Sequence, residues 1–260
     1  GLSYQVLHTK KLRAEGKNFK PIFGVEAYFV PSLSDWKDAY DKYKEDKKAS
    51  KKADEDEEAG VVVEDEEESK KDDKSFINFR AHLVLLAQNP KGLSNIFQLV
   101  SKSYRPGNFY RFPRIDYSLL REHSEGVIVL TACMGGPLSK CYWQHKDEGE
   151  QKVTEEMTKV VTNFKDIFGD RFYCELQWNA YHEQHEINKL VIKTAQENGV
   201  NLVSTCDSHY PRPELWKERE IYKMLGWLGS RTCLWILCHR SEKSLCLSCI
   251  RRTENRCGML

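Results

Sequence analysis

The sequence predicts an α/β domain built on a parallel sheet or a partial barrel, and three observations carry that expectation. Short apolar runs of strand length alternate with longer segments of helical periodicity. Turn-forming residues stand at the junctions, as at Gly16, Asn89-Pro90 and Gly199. The alternation accounts for about five strands, short of the number that closes a barrel.

The chain opens with a helix of basic and apolar residues through Ala14, stopped at Gly16. The apolar run from Pro21 to Val30 reads as a buried strand. An opening helix with no strand before it suggests a domain truncated at its front. Between Ser34 and Lys74 the composition shifts to Lys, Asp, Glu, Ala and Ser, including KEDKKASKKADEDEEAG. Such a stretch has little apolar surface to bury, so 34–74 is expected to be a disordered, solvated insertion.

Order resumes between Phe76 and Ala87, where AHLVLLA is the second strand candidate, an earlier start near Phe76 being the alternative that His82 suggests, and a helix follows through Leu93, Ile96, Phe97, Leu99 and Val100. Leu119 to Glu122 reads as helix, Gly126 to Ala132 as strand, and Met134-Gly135-Gly136-Pro137 as a tight loop. Val153 to Phe168 is the next helix and Phe172 to Gln177 the next strand. Glu183 to Asn198 is a helix that Gly199 stops, and Val200 to Thr205 is the last strand.

Composition excludes several classes. Forty Lys and Arg nearly cancel 39 Asp and Glu, leaving a formal charge of +1 and no global basic footprint for nucleic acid. No apolar run approaches bilayer length and the start lacks the layout of a secretory signal, which points to a cytoplasmic protein without a membrane partner. Five of the nine cysteines (Cys233, Cys238, Cys246, Cys249 and Cys257) crowd the end, leaving ordinary cytosolic usage in the body.

Metal-competent side chains stand at strand edges in four places: Glu26 in GVEAY, His82 in AHLVLLA, Cys133 in TACMGG, and Asp207 with His209 in TCDSHY. Mixed N, O and S donors suit zinc or a similar divalent ion. Singly, each has a plainer reading: a strand Glu as a satisfied partner, a lone His as structural, a Cys before Gly-Gly as packing. Asp-x-His is the strongest single signal, because both side chains leave an extended backbone on the same side.

The segments PIFGVEAY, HLVLLAQNPKG, FYRFPRID, SEGVIVLTACMGG, FYCELQ and EQHEINKLVIKTAQENGVNLVSTCDSHY occur in that order between Lys20 and Tyr210. Together they resemble the PHP (polymerase and histidinol phosphatase) domain of DNA polymerase III α subunits. The resemblance implies a distorted (β/α)7 barrel, incomplete here, spanning 1–33 and 75–229. It further implies a cluster of up to three divalent ions (Zn, Mn or Mg) with Glu26, His82, Cys133, Asp207 and His209 as ligands, and Arg114 as a weaker contact to substrate phosphate. His82 sits awkwardly, preceding its apolar run instead of following it.

The implied function is that of an N-terminal part of a replicative polymerase, with a phosphoesterase or 3′-5′ exonuclease type of site activating water against a phosphodiester or pyrophosphate. The family's first ligands lie on a strand not represented before Gly1, so little turnover is expected from this chain alone. The implied partners are DNA, a proofreading exonuclease subunit and a sliding clamp, all through the parent polymerase. Two alternatives stand beside it: a structural platform for a proofreading subunit, and a stand-alone PHP phosphatase. Cys206 is expected to pack beside Asp207, while 230–260, with Cys246-Leu-Ser-Cys249 and Cys238, His239 and Cys257, reads as an unrelated or frameshifted tail.

Overall fold

A computed structural model describes residues 2–56, 76–179 and 181–226. Helix α1 (Leu2–Ala14) leads into β1 (Gly24–Phe29), α2 (Leu33–Asp56), β2 (Ala81–Ala87) and α3 (Pro90–Ser103). The short strands β3 (Phe109–Tyr110) and β4 (Phe112–Pro113) precede α4 (Tyr117–Glu122), β5 (Val127–Leu130), α5 (Pro137–His145) and α6 (Glu150–Phe168). Strand β6 (Phe172–Gln177), α7 (His182–Glu197), β7 (Asn201–Thr205) and α8 (Trp216–Gly226) complete the described fold.

The five long strands form one sheet in the order β1-β2-β5-β6-β7, which does not close among the described residues. This is an incomplete barrel in an α/β fold, but the sheet is not purely parallel. Strand β2 is antiparallel to both β1 and β5, whereas β5, β6 and β7 are parallel. The start of β2 therefore lies at the same edge of the sheet as the C-terminal ends of its neighbours. Its alternation is plain in burial: Ala81, Leu83 and Leu85 are buried in the core, while His82, Val84 and Leu86 face the other side half-buried.

The core lies on that first face. Leu83, Leu85, Val127, Val129 and Phe172 pack against Ile96 and Leu99 of α3, Met157 and Phe164 of α6, and Ile187 of α7. The Phe164 ring meets Phe29 at 5.2 Å and Phe172 at 5.3 Å between centroids, tying β1 and β6 to one helix. Gly92 has no room for a side chain, because an added Cβ would stand 1.7 Å from the Gly126 carbonyl oxygen, so the α3 N-terminus abuts the turn before β5.

The expected disorder from 34 onwards is corrected by α2. Ser32 accepts from the Asp35 N–H at 3.2 Å, a side-chain cap on the first turn, and Asp116 accepts from the Leu33 N–H at 3.1 Å. Trp36 is 1% exposed, donates its indole N–H to the Ile77 carbonyl at 2.9 Å and stacks on Tyr40. Averaging composition over 34–74 hid this local signal: a capping Ser followed by aromatics four residues apart on one helix face. Residues 57–75 and the cysteine-rich 230–260 lie outside the described residues. Strand β2 covers AHLVLLA as expected, and the earlier start near Phe76 that His82 suggested is not seen, since 76–78 form a helical turn.

Candidate metal centre

The reversed direction of β2 resolves the awkward placement of His82. In the β1–β2 register Tyr28 faces His82 and Glu26 faces Val84, so Glu26 is the diagonal neighbour of His82 on the same sheet face. His82 Nδ1 lies 2.6 Å from Glu26 Oε1. The Tyr28 ring stands 5.4 Å from the His82 ring and limits its swing.

Cys133 arrives from the other neighbour of β2. The loop after β5 folds back over His82: the His82 N–H donates to the Gly135 carbonyl at 2.8 Å, and Cys133 Sγ lies 3.5 Å from His82 Nδ1. The Gly135 N–H points at the same sulfur at 3.4 Å. Gly136 is required by close approach, and Gly135 sits tightly against the imidazole. A Cβ on Gly136 would meet the Thr131 carbonyl oxygen at 1.9 Å, and one on Gly135 would press on the His82 ring at 3.3 Å.

Glu26, His82 and Cys133 thus present ligand atoms that all lie within 4.8 Å of one another. The contacts to Cys133 first and Glu26 second stabilise the imidazolium and push His82 up to about 9. Its hydrogen bond with His82 holds the Glu26 carboxyl below the usual range, and the charge of His209 adds to that effect. A carboxylate, an imidazole and a sulfur crowded on one proton-sharing point form a donor set that fits a borderline divalent ion.

Asp207 and His209 are not gathered into that group among the described residues. Asp207 has a φ of 47°, and His209 Nδ1 turns back to the Asp207 carbonyl at 2.7 Å and stands 3.8 Å from its carboxylate. Cys206 is exposed, contrary to the expected packing, because β7 is the edge strand and its neighbours Leu202 and Ser204 also face outward.

The expected phosphate contact at Arg114 is corrected outright. Arg114 is 0% exposed, donates to the backbone carbonyls of Tyr110, Phe112 and Ile77, and lies 4.4 Å over the Trp36 ring. Desolvation pushes it down to about 10. Its charge is spent on three carbonyls, which fastens the β3–β4 segment to the turn before β2.

Two residues near the site went unread in the sequence. Arg80, two positions before His82, lays its guanidinium 4.0 Å over Phe112 and 5.3 Å from Tyr28. Glu175 is 8% exposed in the middle of β6 and accepts from the Ala132 N–H at 2.9 Å. An acidic residue inside the apolar run FYCEL was the available signal for the second.

The PHP domain family model matches residues 4–179. DNA polymerase III subunit alpha of Aquifex aeolicus is 37% identical over 205 residues, 79% of this chain and 14% of that protein. The subunit of the same name from Thermus aquaticus is 36% identical over 141 residues, 54% of this chain and 11% of that protein. That of Borreliella burgdorferi is 35% identical over 184 residues, 71% of this chain and 15% of that protein. The chain therefore spans a small part, 11% to 15%, of these relatives' length.

Proposed function

The chain belongs to the PHP domain family, and from that premise we propose that it serves DNA replication as the N-terminal part of a replicative polymerase α subunit. Its homology to the N-terminal region of DNA polymerase III α subunits supports this reading. DNA, a proofreading exonuclease subunit and a sliding clamp are its proposed partners, reached through the parent polymerase, and a cytoplasmic location goes with them. No described helix is long and apolar enough to cross a membrane.

The convergence of Glu26, His82 and Cys133 carries the finer reading, a divalent-metal site of phosphoesterase type. Glu26 and Cys133 would supply charged donors and His82 a neutral nitrogen, so His82 must give up the proton it shares with both. Asp207 and His209, at the end of β7, are the proposed further ligands. A divalent ion so held would lower the pKa of water and neutralise phosphate oxygens. The Gly135–Gly136 loop closes over His82 from one side.

The test is zinc and manganese content after chelation and re-addition, together with release of nucleotide from a 3′-labelled oligonucleotide. The chain is expected to take up metal, and Cys133→Ser and His82→Ala to lose it together with whatever cleavage the chain shows. Absence of metal in the unaltered chain would sink the phosphoesterase reading and leave the domain as a structural platform for the polymerase.

A further inference from the structure

Glu175 is a buried carboxylate whose hydrogen bonds reach both parts of the candidate centre. One oxygen accepts from the Ala132 N–H at 2.9 Å; the other accepts from the Thr205 hydroxyl and, at 3.3 Å, from the Gln177 amide. The Glu175 N–H in turn donates to Thr131 Oγ1 at 2.8 Å. Ala132 immediately precedes Cys133 and has a φ of 59°, a conformation that an alanine holds only under constraint. Thr205 ends β7 two residues before Asp207.

Filling the centre of a sheet does not call for a charge. An apolar side chain would pack there, whereas a carboxylate costs free energy unless its oxygens are satisfied. Among the described ion pairs none involves Glu175, and the three donors it has come from β5's loop, β6 and β7. What the carboxylate supplies is the placement of the loop after β5 against the end of β7: β6 and β7 are paired from Tyr173–Asn201 to Gln177–Thr205, whereas β5 and β6 share only the pairs Val129–Phe172 and Leu130–Tyr173.

We infer that Glu175 is a positioning residue that locks the strained Ala132 turn to the end of β7, setting Cys133 and the Asp207–His209 segment in register around one ion. The inference rests on the metal reading above, and its test separates the two. Cobalt(II) is titrated into the full 260-residue chain and into Glu175→Ala, Glu175→Gln, Thr205→Val and Cys133→Ser. Far-ultraviolet circular dichroism checks folding, and the thiolate-to-cobalt charge-transfer absorption reports Cys133.

Glu175→Ala should bind cobalt ~10–100-fold more weakly, the loss usual for a partner behind the ligands, and should lose the charge-transfer band with its fold intact. Glu175→Gln, which keeps the shape and an acceptor for Ala132, should regain part of both. Thr205→Val breaks only the β7 link, so it should weaken binding while the band remains. Unchanged affinity and band in Glu175→Ala would overturn the inference. Should the unaltered chain show no Cys133-dependent band, the metal reading falls by itself, and hydrogen exchange in the metal-free chain decides the positioning. Faster exchange at the Ala132 amide in Glu175→Ala, with β5 and β6 still protected, supports it; unchanged exchange overturns it. If the alanine variant does not fold, the glutamine and valine variants carry the same readouts.

Discussion

The residues with ligand chemistry occupy two corners of one sheet face, and the corners are built differently. At the first, Glu26 and His82 are fixed by strand pairing and Cys133 by a glycine loop that hydrogen-bonds to β2. At the second, Asp207 and His209 follow an edge strand, bond to each other and remain half or fully exposed. Pairing on both sides of β2 preorganises the first corner, whereas the second depends on partners across the sheet. The contrast predicts that substitutions behind the first corner disturb both stability and metal binding, and those at the second disturb binding alone.

The largest effect belongs to Trp36→Ala. The indole is wholly buried, holds the Ile77 carbonyl just ahead of β2 and lies under Arg114. A loss of ~3–5 kcal/mol is expected from chemical denaturation, as for other buried aromatic truncations. A loss under about 1 kcal/mol would restore the view of this stretch as a loose excursion. Next comes Gly136→Ala, which forces a methyl group against the Thr131 carbonyl. It should cost ~1–3 kcal/mol and displace Cys133, seen as accelerated alkylation of that thiol. Wild-type stability in this variant would mean that the loop can relax without the glycine.

Asp207→Ala with His209→Ala should cost no more than ~1 kcal/mol, chiefly from placing an alanine at the φ of 47° that Asp207 adopts. A larger loss would show that the second corner is as structural as the first. The smallest effect lies away from both corners. Glu156 on α6 is held down to about 2 by hydrogen bonds from Lys152 and Lys159. A depressed carboxylate contributes stability above its ordinary pKa of 4.5 and loses it as pH falls through about 2. Glu156→Gln should therefore flatten the acid limb slightly in a pH series while leaving neutral stability and metal uptake alone, because the pair is exposed and screened.

Much of this contrast was legible in the sequence because it depends on short-range pattern. The apolar run AHLVLLA and the paired glycines of TACMGG mark β2 and the loop that meets it. The direction of β2 was not legible: an apolar run carries no sign of whether its neighbours run with it or against it, so His82 looked misplaced when it is central. Arg114 failed for a related reason, since an Arg in a turn reads as available until three carbonyls are found around it. Trp36 was lost by averaging charge over forty residues, and Glu175 because its donors come from positions 43 and 30 residues away.

The central claim is that the first corner holds a divalent ion and the second completes its surroundings. Isothermal titration of zinc into the chain, Cys133→Ser, and the Asp207→Ala/His209→Ala double variant tests it most directly. Cys133→Ser should weaken binding by more than the ~10–100-fold typical of a lost supporting partner, while the double variant stays within that range. Retained affinity in Cys133→Ser with binding abolished in the double variant would place the ion at the second corner and contradict the account.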